Sequence, residues 1–300
     1  NEDTIDITID SLISTAQLKT YIIDGAEFVF LPSSIRDEKR IAERMGIVAK
    51  FPPPRMSTLA QTIDDIEYEN NIKYEDLQRM AIATAANKGL LILTGGPGTG
   101  KTTTIKGIIK VFEKQNLDIA LAAPTGRAAK RMTELTGREA KTIHRLLEVE
   151  WDEDDKPVFR RDTKNPLDCN ALILDELSMV DISLFASLLD ALPLGCRLIL
   201  VGDSDQLPPV GPGNVLHDLI KAEVLPVVEL NKVFRQAMES KIISNAHKIV
   251  VGEMPDLKND GKDFFHMERT SPFSTAETVA ELCATRLKNA YGWDPLSDIQ

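Results

Sequence analysis

Aromatic residues are scarce in this chain of 300 residues, at 5% of the total. A core of ordinary size must then be built from Leu, Ile, Val and Ala, a palette suited to a parallel sheet covered by helices. Cysteine is nearly absent. Cys169, Cys196 and Cys283 stand far apart without paired spacing, which argues against a disulfide framework or a zinc site and points to a reducing, cytoplasmic setting. No apolar run approaches the ~18 residues of a membrane-spanning helix, so no membrane partner is expected. The acidic opening NEDTIDITID lacks the pattern of a secretory signal, and a start at Asn1 reads as a fragment or a processed chain. A basic surplus is missing as well: 35 Lys and Arg stand against 46 Asp and Glu, for a net charge of −11. Taken alone, that argues against nucleic acid, whose affinity rests on phosphate neutralisation. A global sum hides local fields, however. Residues 127–145 carry Arg127, Lys130, Arg131, Arg138, Lys141 and Arg145 against Glu134 and Glu139, a locally basic track in an acidic chain.

What is present divides into three regions, residues 1–74, 75–240 and 241–300. In the first, KTYIIDGAEFVFLP reads as two β-rich runs around Asp24-Gly25, a hairpin signal because both turn positions tolerate positive φ. SIRDEKRIAERMGIVA follows as an amphipathic helix with Ile35, Ile41, Ala42 and Met45 on one face, and Pro52, Pro53 and Pro54 punctuate its end. Helix, hairpin and helix in that order suit a small winged-helix-like accessory domain or a packing appendage. From residue 75 the pattern changes. LLILTG, DIALAAP, ALILDELSM, CRLILVGD and VLPVVEL are short, nearly continuous apolar runs separated by helical patterns. Strands alternating with helices predict an α/β domain, a parallel sheet with helices on both faces, whose ligands bind at the carboxyl ends of the strands. The segment 148–161, EVEWDEDDKPVFRR, breaks the alternation and reads as an inserted β-hairpin with an acidic turn. The last region reads as helical.

The residues that carry chemistry follow the apolar runs. Gly95-Gly96-Pro97-Gly98-Thr99-Gly100-Lys101-Thr102 satisfies G-x-x-x-x-G-K-[ST] between a β-run and a helix, the context of a P-loop. Its glycines let backbone N–H groups wrap phosphates, and the following helix, with Thr103 in its first turn, adds its positive end. Lys101 is expected to bridge the β- and γ-phosphates and Thr102 to ligate Mg²⁺. Asp175 and Glu176 directly follow ALIL: an acid for Mg²⁺ and a neighbour able to activate water. Gln206, in GDSDQLPP, is an amide for a γ-phosphate or the lytic water, and Arg235, in VFRQ, is a guanidinium for the γ-phosphate.

Taken together, QRMAIATAANKGLLILTGGPGTGKTTT, LAAPTGRAAKRM, TIHRLL, LILDELSMVD, LILVGDSDQLPPVGPGNVL and LNKVFRQ resemble the successive motifs of superfamily 1 DNA helicases, most closely the RecD-like branch. The resemblance covers about residues 75–240. It implies a RecA-like ATPase domain that uses ATP and Mg²⁺ and moves 5′ to 3′ on single-stranded DNA in recombination or repair. A duplex fork is the implied substrate, and nuclease–helicase subunits are the implied partners. By resemblance Gln78 reads adenine; Gly96, Gly98, Thr99, Gly100, Lys101, Thr102 and Thr103 hold nucleotide; Thr102 and Asp175 hold Mg²⁺. Lys101, Asp175, Glu176, Gln206 and Arg235 form the catalytic set. Pro124, Thr125, Gly126, Arg127, Thr142 and His144 touch the DNA backbone, and the hairpin 148–161 is either a wedge, with Trp151 or Phe159 able to stack on a base, or a solvated insertion.

The chain departs from that pattern after residue 240, where no second RecA-like sheet and no second arginine motif can be read. The expectation is a chain that binds ATP and hydrolyses it weakly. Three other readings compete. A superfamily 1 RNA helicase shares the site chemistry, and a P-loop NTPase without helicase activity shares the loop. A GTPase is nearly mimicked by Asn231-Lys232-Val233-Phe234, but Phe234 cannot accept hydrogen bonds from guanine.

Overall fold

The acidic opening of the chain coils into α1 (Glu2–Ser14), followed by β1 (Lys19–Ile23) and β2 (Ala26–Phe30), which pair antiparallel from Lys19↔Phe30 to Ile23↔Ala26. Asp24 and Gly25 have φ of 52° and 81°, the left-handed pair that a two-residue hairpin turn requires. Pro32, which has no N–H to leave unpaired, opens α2 (Pro32–Lys50). The computed structural model describes residues 2–152, 157–234, 239–260 and 263–299, and the chain divides into two compact units, Asn1–Ala237 and Met238–Gln300.

The first unit continues with α3 (Leu59–Glu69), α4 (Asp76–Lys88), β3 (Leu90–Thr94), α5 (Lys101–Lys114), β4 (Ile119–Ala123), α6 (Gly126–Thr136), β5 (Ala140–Thr142) and the single turn α7 (Ile143–Leu146). The hairpin strands β6 (Val149–Trp151) and β7 (Pro157–Phe159) come next, then β8 (Ala171–Leu174), α8 (Ile182–Asp190), β9 (Arg197–Val201), α9 (Val215–Lys221) and β10 (Val227–Glu229). Six strands form one sheet in the order β10-β3-β9-β8-β4-β5, every neighbouring pair parallel. This is the P-loop α/β architecture that the alternating pattern predicts.

Period-two alternation splits the apolar strands between two cores. Leu91, Leu93, Ile173 and Ile199 pack with α3, α4 and α5. Leu90, Ile92, Leu172 and Leu198 pack on the other face with α2 and α8. Because both faces are covered, the strands show no polar alternation.

On α2, Ile35, Ile41 and Met45 are buried as the helical spacing predicts, whereas Ala42 is exposed. The helix is held by polar contacts too. Asp37 is buried, accepts from Ser183 Oγ at 2.8 Å and pairs with Arg40 at 2.9 Å. Arg44 donates to the carbonyls of Leu189, Asp190 and Leu192 at 2.9–3.0 Å, covering carbonyls at and just beyond the C-terminal end of α8. The expected boundary at residues 74/75 therefore falls inside the first unit, because α2 and α3 are parts of its two cores.

Cys169 and Cys196, remote in sequence, meet just before β8 and β9 with Sγ atoms 3.8 Å apart; both are free and buried. The neighbouring thiol and burial push the Cys196 thiol up.

In the second unit, α10 (Lys241–Val250) is fastened by buried Asn245, whose side chain bonds both the N–H and the carbonyl of Asp256 at 2.7 and 3.0 Å. α11 (Pro272–Glu281) passes through a π turn at Leu282–Arg286 into α12 (Leu287–Tyr291). Among the described residues no helix is long and apolar enough to cross a membrane.

Candidate nucleotide-binding site

The parallel sheet brings the ends of β3, β8, β9 and β10 to one edge. The loop after β3 turns through Gly98 and Gly100, with φ of 77° and 90°. A side chain at Gly100 would strike Gln78 Nε2 and come within 2.8 Å of the Phe234 ring, and one at Gly95 would lie 2.5 Å from the Leu230 carbonyl. Only glycine lets the loop take this path. Thr99 is buried and its hydroxyl donates to the Gly96 carbonyl at 2.9 Å. Gly100 caps α5, and Thr104 closes the first turn by donating to the Gly100 carbonyl at 3.0 Å. Thr102 is half-buried in that turn and Thr103 is exposed.

Lys101 folds back over its own loop. Its Nζ donates to the carbonyls of Gly95 and, at 3.1 Å, Gly96. Burial holds its pKa below the ordinary lysine value, opposed by the charges of Asp203, Glu176 and Asp175. The ammonium thus lies within reach of the acids that end two other strands.

Asp175 extends the ladder through its own N–H, which donates to the Ala122 carbonyl at 2.9 Å, and its Oδ1 accepts from the Glu176 N–H at 2.9 Å. Burial raises its pKa. Glu176 sits at φ 55°, an uncommon conformation for a residue with a side chain, which redirects the chain sharply after β8. Burial first and Asp175 second raise its pKa, while Lys101, Arg131 and a hydrogen bond from Gln206 act the other way. Gln206 is exposed, and its Oε1 accepts from the buried Ser178 hydroxyl at 3.0 Å. Thr94, at the end of β3, accepts from the Ser204 N–H at 3.3 Å, which ties the loop after β9 to the start of the glycine loop.

Gln78, 3% exposed, bridges the start of α4 to the glycine loop. Its Oε1 accepts from the Glu75 N–H at 3.0 Å and its Nε2 donates to the Gly100 carbonyl at 3.3 Å. It borders a cavity of about 200 Å³ lined also by Glu75, Thr99, Leu230, Lys232 and Phe234. Lys232 and Glu75 pair at 2.6 Å on that lining. Arg235 lies outside the described residues. The residue before it, Phe234, donates its N–H to the Gly98 carbonyl at 3.3 Å.

The expected DNA-contact residues follow β4 and β5, adjacent strands whose register sets Ala123 beside Thr142. Thr125 and Thr142 act as N-caps of α6 and α7, accepting from the N–H groups of Ala128 and Arg145, each at 3.2 Å. Each hydroxyl keeps its proton free to donate. Pro124 is half-buried, and Gly126 and Arg127 are exposed. The His144 ring lies 5.9 Å from that of Phe159. Within the hairpin, Trp151 is 63% exposed while Phe159 packs against the core. Residues 153–156 of its acidic turn lie outside the described residues.

Three residues at the site lie within the quoted motifs but were assigned no role there: Ser178, Asp203 and Phe234. Only Asp203 had a signal, as an acid just beyond the end of an apolar strand.

Comparison with known proteins places this geometry in context. An AAA domain family matches residues 78–212. The chain is 39% identical over 231 residues to the ATP-dependent RecD2 DNA helicase of Deinococcus radiodurans, covering 77% of this chain and 31% of that protein. It is 43% identical over 170 residues to the RecBCD enzyme subunit RecD of Mycobacterium tuberculosis, covering 48% of this chain and 28% of that protein. The chain therefore spans about three tenths of the length of these relatives. Among solved structures, the Pif1 helicase from Candida albicans is 26% identical with a TM-score of 0.46, over 62% of this chain and 46% of that one. Unliganded Pif1 from Bacteroides sp. is 24% identical with a TM-score of 0.38, over 55% of this chain and 43% of that one.

Proposed function

The chain belongs to the RecD-like group of superfamily 1 sequences, and on that premise we propose that it is the ATP-hydrolysing part of a DNA helicase that moves 5′ to 3′ along single-stranded DNA in recombination or repair. The observation that carries this reading is the convergence on Lys101. Three carboxylates, from the ends of β8 and β9, lie within its electrostatic reach, beside a glycine loop that tolerates no side chain at positions 95 and 100.

That cradle fits a polyphosphate, since its volume is reserved for backbone and the loop itself supplies a half-buried cation, Lys101. Thr102 and Asp175 would hold Mg²⁺, a cation that takes one or two protein oxygens together with phosphate and water. When bound, the ion neutralises charge on the phosphate oxygens. Gln78 orients the base side of the pocket. Lys101 leaves its loop carbonyls for the β- and γ-phosphates. Glu176 accepts the proton of the attacking water, Gln206 orients that water and the γ-phosphate, and Arg235 adds a second cation to the charge that develops there. Thr125 and Thr142, with free hydroxyl protons, and Arg127 contact the DNA backbone. Thr125 and Arg127 follow β4, which pairs with β8, and Thr142 ends β5 beside β4, so a nucleotide-driven change at Asp175 and Glu176 has a short path to them. RecD of M. tuberculosis is named as a RecBCD subunit, and assembly with nuclease–helicase subunits is proposed here by analogy.

The test is ATP turnover by the full-length protein with single-stranded DNA, with RNA, and with neither. Stimulation by DNA above RNA supports the reading. Stimulation by RNA alone converts it to an RNA helicase, and equal turnover in all three arms reduces it to a P-loop NTPase. Unwinding of duplexes tailed at 5′ but not at 3′ checks the direction.

A further inference from the structure

We propose that Ser178 is a positioning residue that holds the Gln206 amide in place. The inference rests on the role assigned to Gln206 above and adds the device that sets it. Ser178 lies in the short 3-10 turn Leu177–Met179 that follows Glu176, and it is 5% exposed. Its hydroxyl donates to Gln206 Oε1 at 3.0 Å. The Glu176 carboxylate lies near the same amide.

The chemistry of these three groups leaves one arrangement. As the general base, Glu176 only accepts hydrogen bonds, so the amide must turn its NH₂ toward it. Oε1 then faces the other way and needs a donor, and the hydroxyl of Ser178 supplies one proton in that direction. The reversed amide would set an oxygen against a carboxylate and aim its N–H groups at Ser178, losing the contact with Glu176. A hydroxyl can donate or accept, so Glu176 sets the orientation of the amide and Ser178 holds the side chain in it.

The hold matters because Gln206 is exposed on a loop. A long, free amide samples several rotamers and both flips, and holding it costs entropy that a single hydrogen bond can offset. Ser178 itself is buried and directed at Gln206, so it acts through that side chain. The contact also joins loops after β8 and β9, paired strands of the sheet, so the acid that handles the lytic water and the amide that senses the γ-phosphate move as one group.

The experiment is DNA-stimulated ATP turnover by the full-length protein as wild type and as S178A, S178T, Q206A and the double variant S178A/Q206A. S178A is expected to lower kcat by about five- to tenfold while KM for ATP moves by less than about twofold. S178T keeps the hydroxyl and is expected to recover most of the loss. The double variant is expected to be no slower than Q206A, because Ser178 has nothing left to hold. Where S178A melts early, S178C keeps the volume, donates weakly and carries the same expectation. A normal kcat for S178A beside an impaired Q206A overturns the inference, as does a double variant whose losses multiply. Normal turnover by Q206A overturns the role of Gln206 itself, a distinguishable failure.

Discussion

At the scale of single residues, the site depends on one cation. Lys101 is held by its own loop and faced by three carboxylates, so replacing it leaves Asp175 and Glu176 with Arg131 as their remaining cation. K101A is expected to weaken binding of a non-hydrolysable ATP analogue by roughly 30-fold or more in calorimetry. Arg235 predicts the opposite profile. R235A is expected to bind the analogue like wild type and to lose about 10³-fold or more in turnover, because its guanidinium meets charge that develops only during the reaction. Much of this site was legible in the sequence, since glycine spacing, a lysine and acids after apolar runs each have a stated chemical reason. Ser178 was not. A serine in LSM looks like any other until the fold sets it against an amide 28 positions away.

At the scale of elements, the strands were legible wherever both faces are buried, because such a run is nearly all apolar. β5 (Ala140–Thr142) was not, since three residues at the sheet edge, AKT, show neither a run nor an alternation. The role of α2 was half legible. Its apolar face predicts burial, but which partner it meets is decided by the bonds that Arg44 and Asp37 make to α8, contacts with no sequence period. Two predictions belong here. I108A removes a fully buried side chain between α5 and the sheet and is expected to cost about 2–5 kcal/mol, read from denaturant unfolding. G100A demands φ 90° of an alanine and drives its methyl into Gln78 and Phe234. It is expected to abolish analogue binding and lower Tm, with a backbone cost of about 1–3 kcal/mol.

At the scale of the whole molecule, a net charge of −11 coexists with a basic track on and after α6. The structure trims that track, because Arg138 pairs with Glu113 at 2.5 Å. Binding to single-stranded DNA should then fall with salt along a shallow line, with a slope of about −2 to −4 on logarithmic axes. R127A should reduce that slope by about one while leaving base preference unaltered, as checked by fluorescence titration across salt. The glycine loop adds a consequence of its own. Gly95 abuts the Leu230 carbonyl, Gly98 accepts from the Phe234 N–H, and Gly100 lies under the Phe234 ring. The loop is thus laced to the strand of chain that leaves the sheet, and neither can change shape alone. By reciprocity, whatever tightens the grip on an anion upstream must pull on that outgoing tether, and tension on the tether must loosen the grip.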